Sequence, residues 1–237
     1  MIPLWLHQCA IVALAAGGIC AIIIAVDEYR HPQRMWIMNL VWPTTALFGA
    51  AFVVWGYFKF GLPGSRRISS PSQASVRIPF SVVVAKGTLH CGAGCTLGDI
   101  SAEWLAYAVP AIPVWLGWQR FFEVKMFSVW ILDYLFAFSF GIVFQYFAIK
   151  PMRSLSARDA LIAALKVDAV SLSAWQLGMY GFMAFAGLFI FDHEFGSPLS
   201  VDSIEFWFMM QIAMLFGFAT AYPVNWFLIR RGIKECM

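Results

Sequence analysis

Six stretches of the chain are long and apolar enough to read as membrane-crossing helices, at roughly 3–26, 36–58, 81–108, 126–149, 170–191 and 204–229. About 20 residues at 1.5 Å each cross a hydrocarbon layer of roughly 30 Å. Between them lie polar connections, one of them long: GLPGSRRISSPSQASVRIP at 61–79 reads as a loop. The third stretch stays apolar towards Trp118, and Pro110 and Pro113 set its end. It is predicted as a helix through Glu103 and Tyr107 that stops before Pro110. Residues 114–125, VWLGWQRFFEVK, mix large aromatics with Arg120, Glu123 and Lys125 and suit an interfacial segment. Ser156 and Asp159 form an S-x-x-D capping pattern for an amphipathic helix that leads into the fifth stretch. The pattern predicts an all-α polytopic membrane protein: one transmembrane domain over 1–237, about six transmembrane helices and short amphipathic interfacial helices.

Composition agrees. The chain is 61% hydrophobic and 12% charged, whereas soluble domains carry about 25% charged residues. The opening MIPLWLHQC has neither a basic leader nor a nearby small-residue cleavage site, so the first stretch reads as a retained helix. Four of the five cysteines fall inside apolar stretches, which argues against a secreted disulfide framework.

Charge adds an orientation. Eleven basic residues follow the even-numbered stretches: Lys59, Arg66, Arg67 and Arg77, then Lys150, Arg153, Arg158 and Lys166, then Arg230, Arg231 and Lys234. Four others, Arg30, Arg34, Arg120 and Lys125, follow odd-numbered ones. With six crossings, the positive-inside rule places both termini in the cytoplasm of a bacterial inner membrane.

Ionisable residues are costly in hydrocarbon, about 2.5–3.5 kcal/mol near the centre on the lenient scale. Lys86, His90, Asp99, Glu103, Asp133 and Asp168 therefore stand out. Cys91, Cys95, Asp99 and Glu103 are four apart and share a helix face, with His90 one position aside. Thiolates and imidazole suit Cu(I) or Zn(II), so His90, Cys91, Cys95, Asp99, Glu103 and Asp133 form a candidate metal set. Gly92, Gly94 and Gly98 remove bulk beside it, for close helix approach or a local break. In the six-crossing topology, Asp27, Glu28 and His31, and then Asp192, His193 and Glu194, lie outside as an approach for a cation, with Asp168 near the cytoplasmic end. Ser171, Ser173, Gln176 and Gln211 are candidates for hydrogen bonds between helices. Pro223 would kink the last helix, with Asn225 near the carbonyl it frees.

Four segments resemble a bacterial membrane-protein family catalogued as a domain of unknown function: GTLHCGAGCTLGDISAEW (87–104), LDYLFAFSFGIVFQYFAIKPM (132–152), VDAVSLSAWQLGMYGFM (167–183) and FWFMMQIAMLFGFATAYPVNWFLIRRGIKE (206–235). The resemblance covers about the last two thirds of the chain, with HCGAGCTLGD as its hallmark. It implies a polytopic membrane protein and names no substrate.

Three functions are compatible with these residues. The first is an inner-membrane protein that binds and moves or delivers a soft transition metal, Cu or Zn, with metal-handling proteins as partners. The second is a thiol oxidoreductase using Cys91 and Cys95, whose C-x3-C spacing differs from C-x-x-C. The third is a non-catalytic subunit of a membrane complex. Walker A and G-x-S-x-G motifs are absent, and neither nucleotide, flavin nor nucleic acid is indicated. No catalytic residue is assigned.

Overall fold

The computed structural model describes residues 2–61, 78–152 and 156–234. Within it the chain is helical, and the described residues form no strand beyond an isolated bridge between Trp118 and Phe122. The helices are α1 (Leu4–Arg30), α2 (Met38–Gly56), α3 (Phe80–Ala108), α4 (Ala111–Trp115), α5 (Lys125–Met152), α6 (Ala157–Ala184) and α7 (Ile204–Arg230). α2 continues in π-helical turns over Tyr57–Gly61, and α6 over Phe185–Glu194. Five segments are long and apolar enough to cross a membrane: Leu4–Arg30, Met38–Gly61, Lys125–Lys150, Ala157–Glu194 and Ile204–Arg230. α3 has the length, at 29 residues, but carries Lys86, His90, Asp99 and Glu103 and lies inside the bundle, packed on α2, α5, α6 and α7.

Several local expectations hold. Ser156 caps α6, accepting a hydrogen bond from the Asp159 amide at 3.2 Å. The amphipathic lead-in is continuous with the fifth stretch as one 38-residue rod. At roughly 57 Å it is longer than a bilayer core is thick. α3 ends at Ala108, before Pro110. The segment after it holds only the one-turn α4 and turns built on Gly117 and Gln119, both at positive φ, with Trp115 and Phe121 exposed. The expected loop at 61–79 lies almost wholly outside the described residues.

The second stretch departs from the expectation of a straight crossing. Ala50 has φ 40° and ψ −125°, which breaks the helix, and the two arms fold back on each other. The Trp42 and Tyr57 rings lie 5.5 Å apart, and a Cβ on Gly61 would sit 3.1 Å from the Trp42 ring. α2 is thus a re-entrant helical hairpin that enters and leaves at one end of the bundle. A break at membrane depth frees carbonyls that need protein donors. Gln211 of α7 supplies one, donating from Nε2 to the Leu47 carbonyl at 2.6 Å. Leu47 packs so closely on α1 that a Cβ on Gly17 would lie 2.4 Å from its carbonyl oxygen.

The hairpin alters the topology. At one end, where α1 and α7 begin, His7 pairs with Glu205 at 2.6 Å and Tyr107 meets Asp202 at 3.2 Å. At the other, where α7 finishes, Phe80 packs on Trp226, Trp36 on Phe147, and Tyr57 donates to Asp27 at 2.7 Å. α1 and α7 therefore run parallel, and the two ends of the chain lie at opposite ends of the bundle. A six-crossing topology needs α2 to span the bundle, whereas α2 returns to the end from which it entered. Asp27, Glu28 and His31 likewise move to the end where α7 finishes, opposite Asp192, His193 and Glu194.

Small residues set the spacing of the central helices. A Cβ on Gly98 would lie 2.4 Å from the Ala137 amide nitrogen, and one on Gly94 would lie 3.1 Å from Gly141 Cα. α3 and α5 thus touch backbone to backbone, as small-xxx-small faces allow. Gly92 and Gly217 admit the fully buried Trp175 from either side. The glycines of α3 serve close approach and leave its helix unbroken.

Candidate functional site

The face of α3 at Cys91, Cys95, Asp99 and Glu103 is turned into the protein, and all four side chains are buried. Their partners come from α5, α6, α7 and the segment after α7, and they fall into two groups at different depths.

The first group lies towards the end where α7 finishes. The Cys91 thiol donates to Asp168 Oδ1 at 3.1 Å and lies 3.0 Å from the Ser171 hydroxyl. Ser171 donates to Asn225 Oδ1 at 3.0 Å. Lys234 completes the group, with Nζ 2.6 Å from Asn225 Oδ1, 3.0 Å from the Gly87 carbonyl, 3.3 Å from Cys91 Sγ and 3.4 Å from Ser171 Oγ. Lys234 is only 2% exposed. It arrives there because the chain reverses at Gly232, φ 67°, with the Ile233 and Lys234 amides both donating to the Leu228 carbonyl. Asn225 thus serves this cluster and, through its amide, the Ala221 carbonyl at 2.9 Å.

The second group lies towards the end where α1 and α7 begin. Asp99 accepts from Gln176 at 3.2 Å. Asp99, Glu103 and Asp133 are within electrostatic reach of one another. Asp99 Oδ2 and both carboxylate oxygens of Asp133 are buried without a hydrogen-bond partner. Glu103 opens onto a cavity of about 390 Å³, lined also by Tyr107, Lys125, Asp192 and Ser200. Ser200 in turn donates to Asp202, which keeps that exposed carboxyl below its ordinary range.

The six positions of the candidate metal set are all buried, but they do not share one centre. His90 is displaced by about 100° from Cys91 around the helix. Its ring packs on Phe144 of α5, and both its nitrogens lack a partner. Cys91 belongs to the Asp168–Lys234 group, and Asp99, Glu103 and Asp133 form the other. Cys95 sits between the two groups in an apolar core with Trp175, Met179 and Met214. Both thiols are free. Among the described residues no three His, Cys, Asp or Glu side chains come together closely enough to hold a metal ion.

The sequence pointed to Asp168, Ser171, Gln176 and Gln211, and all four make contacts between helices. Ser173 does too, 2.8 Å from the Tyr134 hydroxyl. Lys234 was visible only as a basic residue near the C-terminus, and nothing in its spacing marks it as buried.

No curated protein and no solved structure matches the chain. A family model described as Domain of unknown function (DUF4396) matches residues 82–234. The match begins after the re-entrant hairpin and takes in α3 to α7 together with Lys234. The chain belongs to the DUF4396 family of proteins of unknown function.

Proposed function

We propose that this chain is an integral membrane protein that passes a cation through the α3–α5–α6–α7 bundle, with the proton as the simplest cargo. The observation that carries the reading is three buried carboxylates within electrostatic reach of one another: Glu103, which lines a cavity, and behind it Asp99 and Asp133, which together leave three oxygens without hydrogen-bond partners. Buried carboxylates are expensive in a membrane and mark ion or proton paths, and here Lys125 faces Glu103 alone across the cavity. Below them the polar file continues through Gln176 and, past Cys95, to Asp168 and Lys234. A re-entrant broken helix beside such a file is also a feature of transport proteins, because irregular backbone at membrane depth survives only inside protein or beside a cavity.

Orientation follows from charge. Among the described residues, segments at the end where α7 finishes carry Arg30, Arg34, Lys59, Lys150, Arg158, Lys166, Arg230, Arg231 and Lys234, against Arg120 and Lys125 at the other. The positive-inside rule then puts that end in the cytoplasm and the start of α1 outside. A bacterial inner membrane is the proposed location. The cavity beside Glu103 faces outward.

The test is flux into sealed vesicles. Purified protein is reconstituted with a pH-sensitive dye inside, and a pH gradient is imposed. Wild type should acidify the lumen faster than protein-free vesicles, and Asp99→Asn should return the rate to the protein-free level. A wild-type rate equal to that of empty vesicles, with gradients of H+, Na+, K+, Cu(I) and Zn(II) each tried, overturns the reading.

A second reading is delivery of a soft metal, Cu(I) or Zn(II). Its support is that Cys95 shares a buried core with Met179, Met183, Met209, Met210 and Met214, and thioethers with a thiolate suit Cu(I). Elemental analysis of wild type beside a Cys91→Ser/Cys95→Ser double variant separates it from proton movement. Stoichiometric metal lost in the double variant supports it, and metal-free wild type after loading with Cu(I) and Zn(II) removes it.

A further inference from the structure

We propose that Lys234 is a tethered occupant of a second cation site, one built for a small monovalent cation. The site extends the cation reading to the cytoplasmic end of the same file, and it uses none of the three carboxylates on which that reading rests.

The argument starts from hydrogen-bond arithmetic. A lysine ammonium has three N–H groups and accepts nothing. Around Lys234 Nζ stand four acceptors within 3.4 Å: the Gly87 carbonyl, Asn225 Oδ1, Ser171 Oγ and Cys91 Sγ. They come from α3, α6 and α7, so three helices converge on one point. A single ammonium cannot give each acceptor its own hydrogen, but a spherical ion coordinates all of them at once. Three of the four are neutral oxygens: a backbone carbonyl, an amide and a hydroxyl. Such groups replace the hydration shell of a hard monovalent cation.

Charge balance points the same way. Asp168 stands behind the shell, bound to Cys91 and within electrostatic reach of Lys234. Its second oxygen, Oδ2, is buried without a partner. One carboxylate behind neutral donors matches a charge of +1. The donors are also held without the lysine, since Ser171 bonds Asn225, Asn225 is anchored to the Ala221 carbonyl, and Cys91 is anchored to Asp168.

The lysine itself is attached by a short lever. After Arg230 the chain needs only the turn at Gly232 to bring Nζ in, and the backbone ties of that turn are the Gly232, Ile233 and Lys234 amides on the carbonyls of Leu228 and Ile229. Opening one turn at the end of α7 would withdraw the ammonium and expose the shell to the cytoplasmic side. A free cation and Lys234 then compete for one place, and the C-terminal turn reports which of them holds it.

The test is equilibrium binding in detergent, with no gradient, so it can fail while flux through Asp99 persists, and the reverse. Thermal unfolding is followed in about 0.1 M KCl, NaCl, NH4Cl or choline chloride. Lys234→Ala should gain about 4 °C in a small-cation salt over choline, as expected for a ligand near tenfold above its Kd. Wild type should show no such difference, and adding Asn225→Ala to Lys234→Ala should remove it. The cation giving the largest gain is the ligand. No gain in Lys234→Ala, or an equal gain in wild type, overturns the proposal. If Lys234→Ala does not fold, wild type supplies the answer through acylation of the Lys234 amine, read by mass spectrometry. Faster labelling in a small-cation salt than in choline supports competition at the site, and equal rates overturn it.

Discussion

Trp42 and Tyr57, fifteen positions apart on what the sequence offers as one apolar helix, touch ring edge to ring face at 5.5 Å. In a straight helix they would stand about 22 Å apart. The contact converts a straight helix into a hairpin, and with it α1 comes to run parallel to α7.

The first prediction concerns that side. Epitope tags placed before Met1 and after Met237 should lie on opposite faces of the membrane. In sealed right-side-out vesicles, protease should remove the first and spare the second. Both tags cut together, or both protected together, would mean that α2 crosses and the hairpin is wrong.

Ala50 carries the break. Its φ of 40° with ψ −125° lies where only glycine is unstrained, and such a residue costs on the order of 1–3 kcal/mol. Ala50→Gly should raise thermal stability in detergent by up to about 2 kcal/mol, and Ala50→Val should lower it by a similar amount. The opposite order would show that the tip is not held in this conformation.

The contact of α3 with α5 is tested at Gly98. A methyl there meets the Ala137 backbone at 2.4 Å, whereas one on Gly18 meets nothing within 4 Å. Gly98→Ala should cost about 1–3 kcal/mol by overpacking against main chain. Gly18→Ala, on the open side of α1, should be neutral or gain about 0.5–1 kcal/mol from helix propensity. Equal unfolding temperatures for the two variants would argue against the backbone contact.

Asp133 separates stability from activity. Both its oxygens are buried without partners beside two other carboxylates. Neutralising it removes like-charge repulsion, so Asp133→Asn should unfold at the same temperature or higher, by up to about 2 kcal/mol, while losing vesicle flux. A strong loss of stability would mark Asp133 as a structural partner, and unchanged flux would take it out of the path.

Much of this was legible in the chain. The apolar runs predicted most of the long helices to within a few residues, the exception being the fifth, which starts at Ala157 through its amphipathic lead-in, since lipid demands long uninterrupted apolar stretches with every backbone group bonded internally. The i,i+4 spacing of Cys91, Cys95, Asp99 and Glu103 predicted a shared face turned inward, because the cost of exposing such groups to lipid leaves them nowhere else to go. The hairpin was hidden, since LFGAAFVVWG is as apolar as a crossing helix, and periodicity does not distinguish one long helix from two short arms.

The helical, membrane-type character of the chain and the polar face of its third long helix are readable from the residue order alone, because apolar length and helical period are local properties. The turn of α2 at Ala50, the parallel course of α1 and α7, and the return of Lys234 into the bundle to meet Cys91, Ser171 and Asn225 emerge only once the helices pack. These depend on contacts between residues distant along the chain, where neither composition nor spacing states which partners will meet.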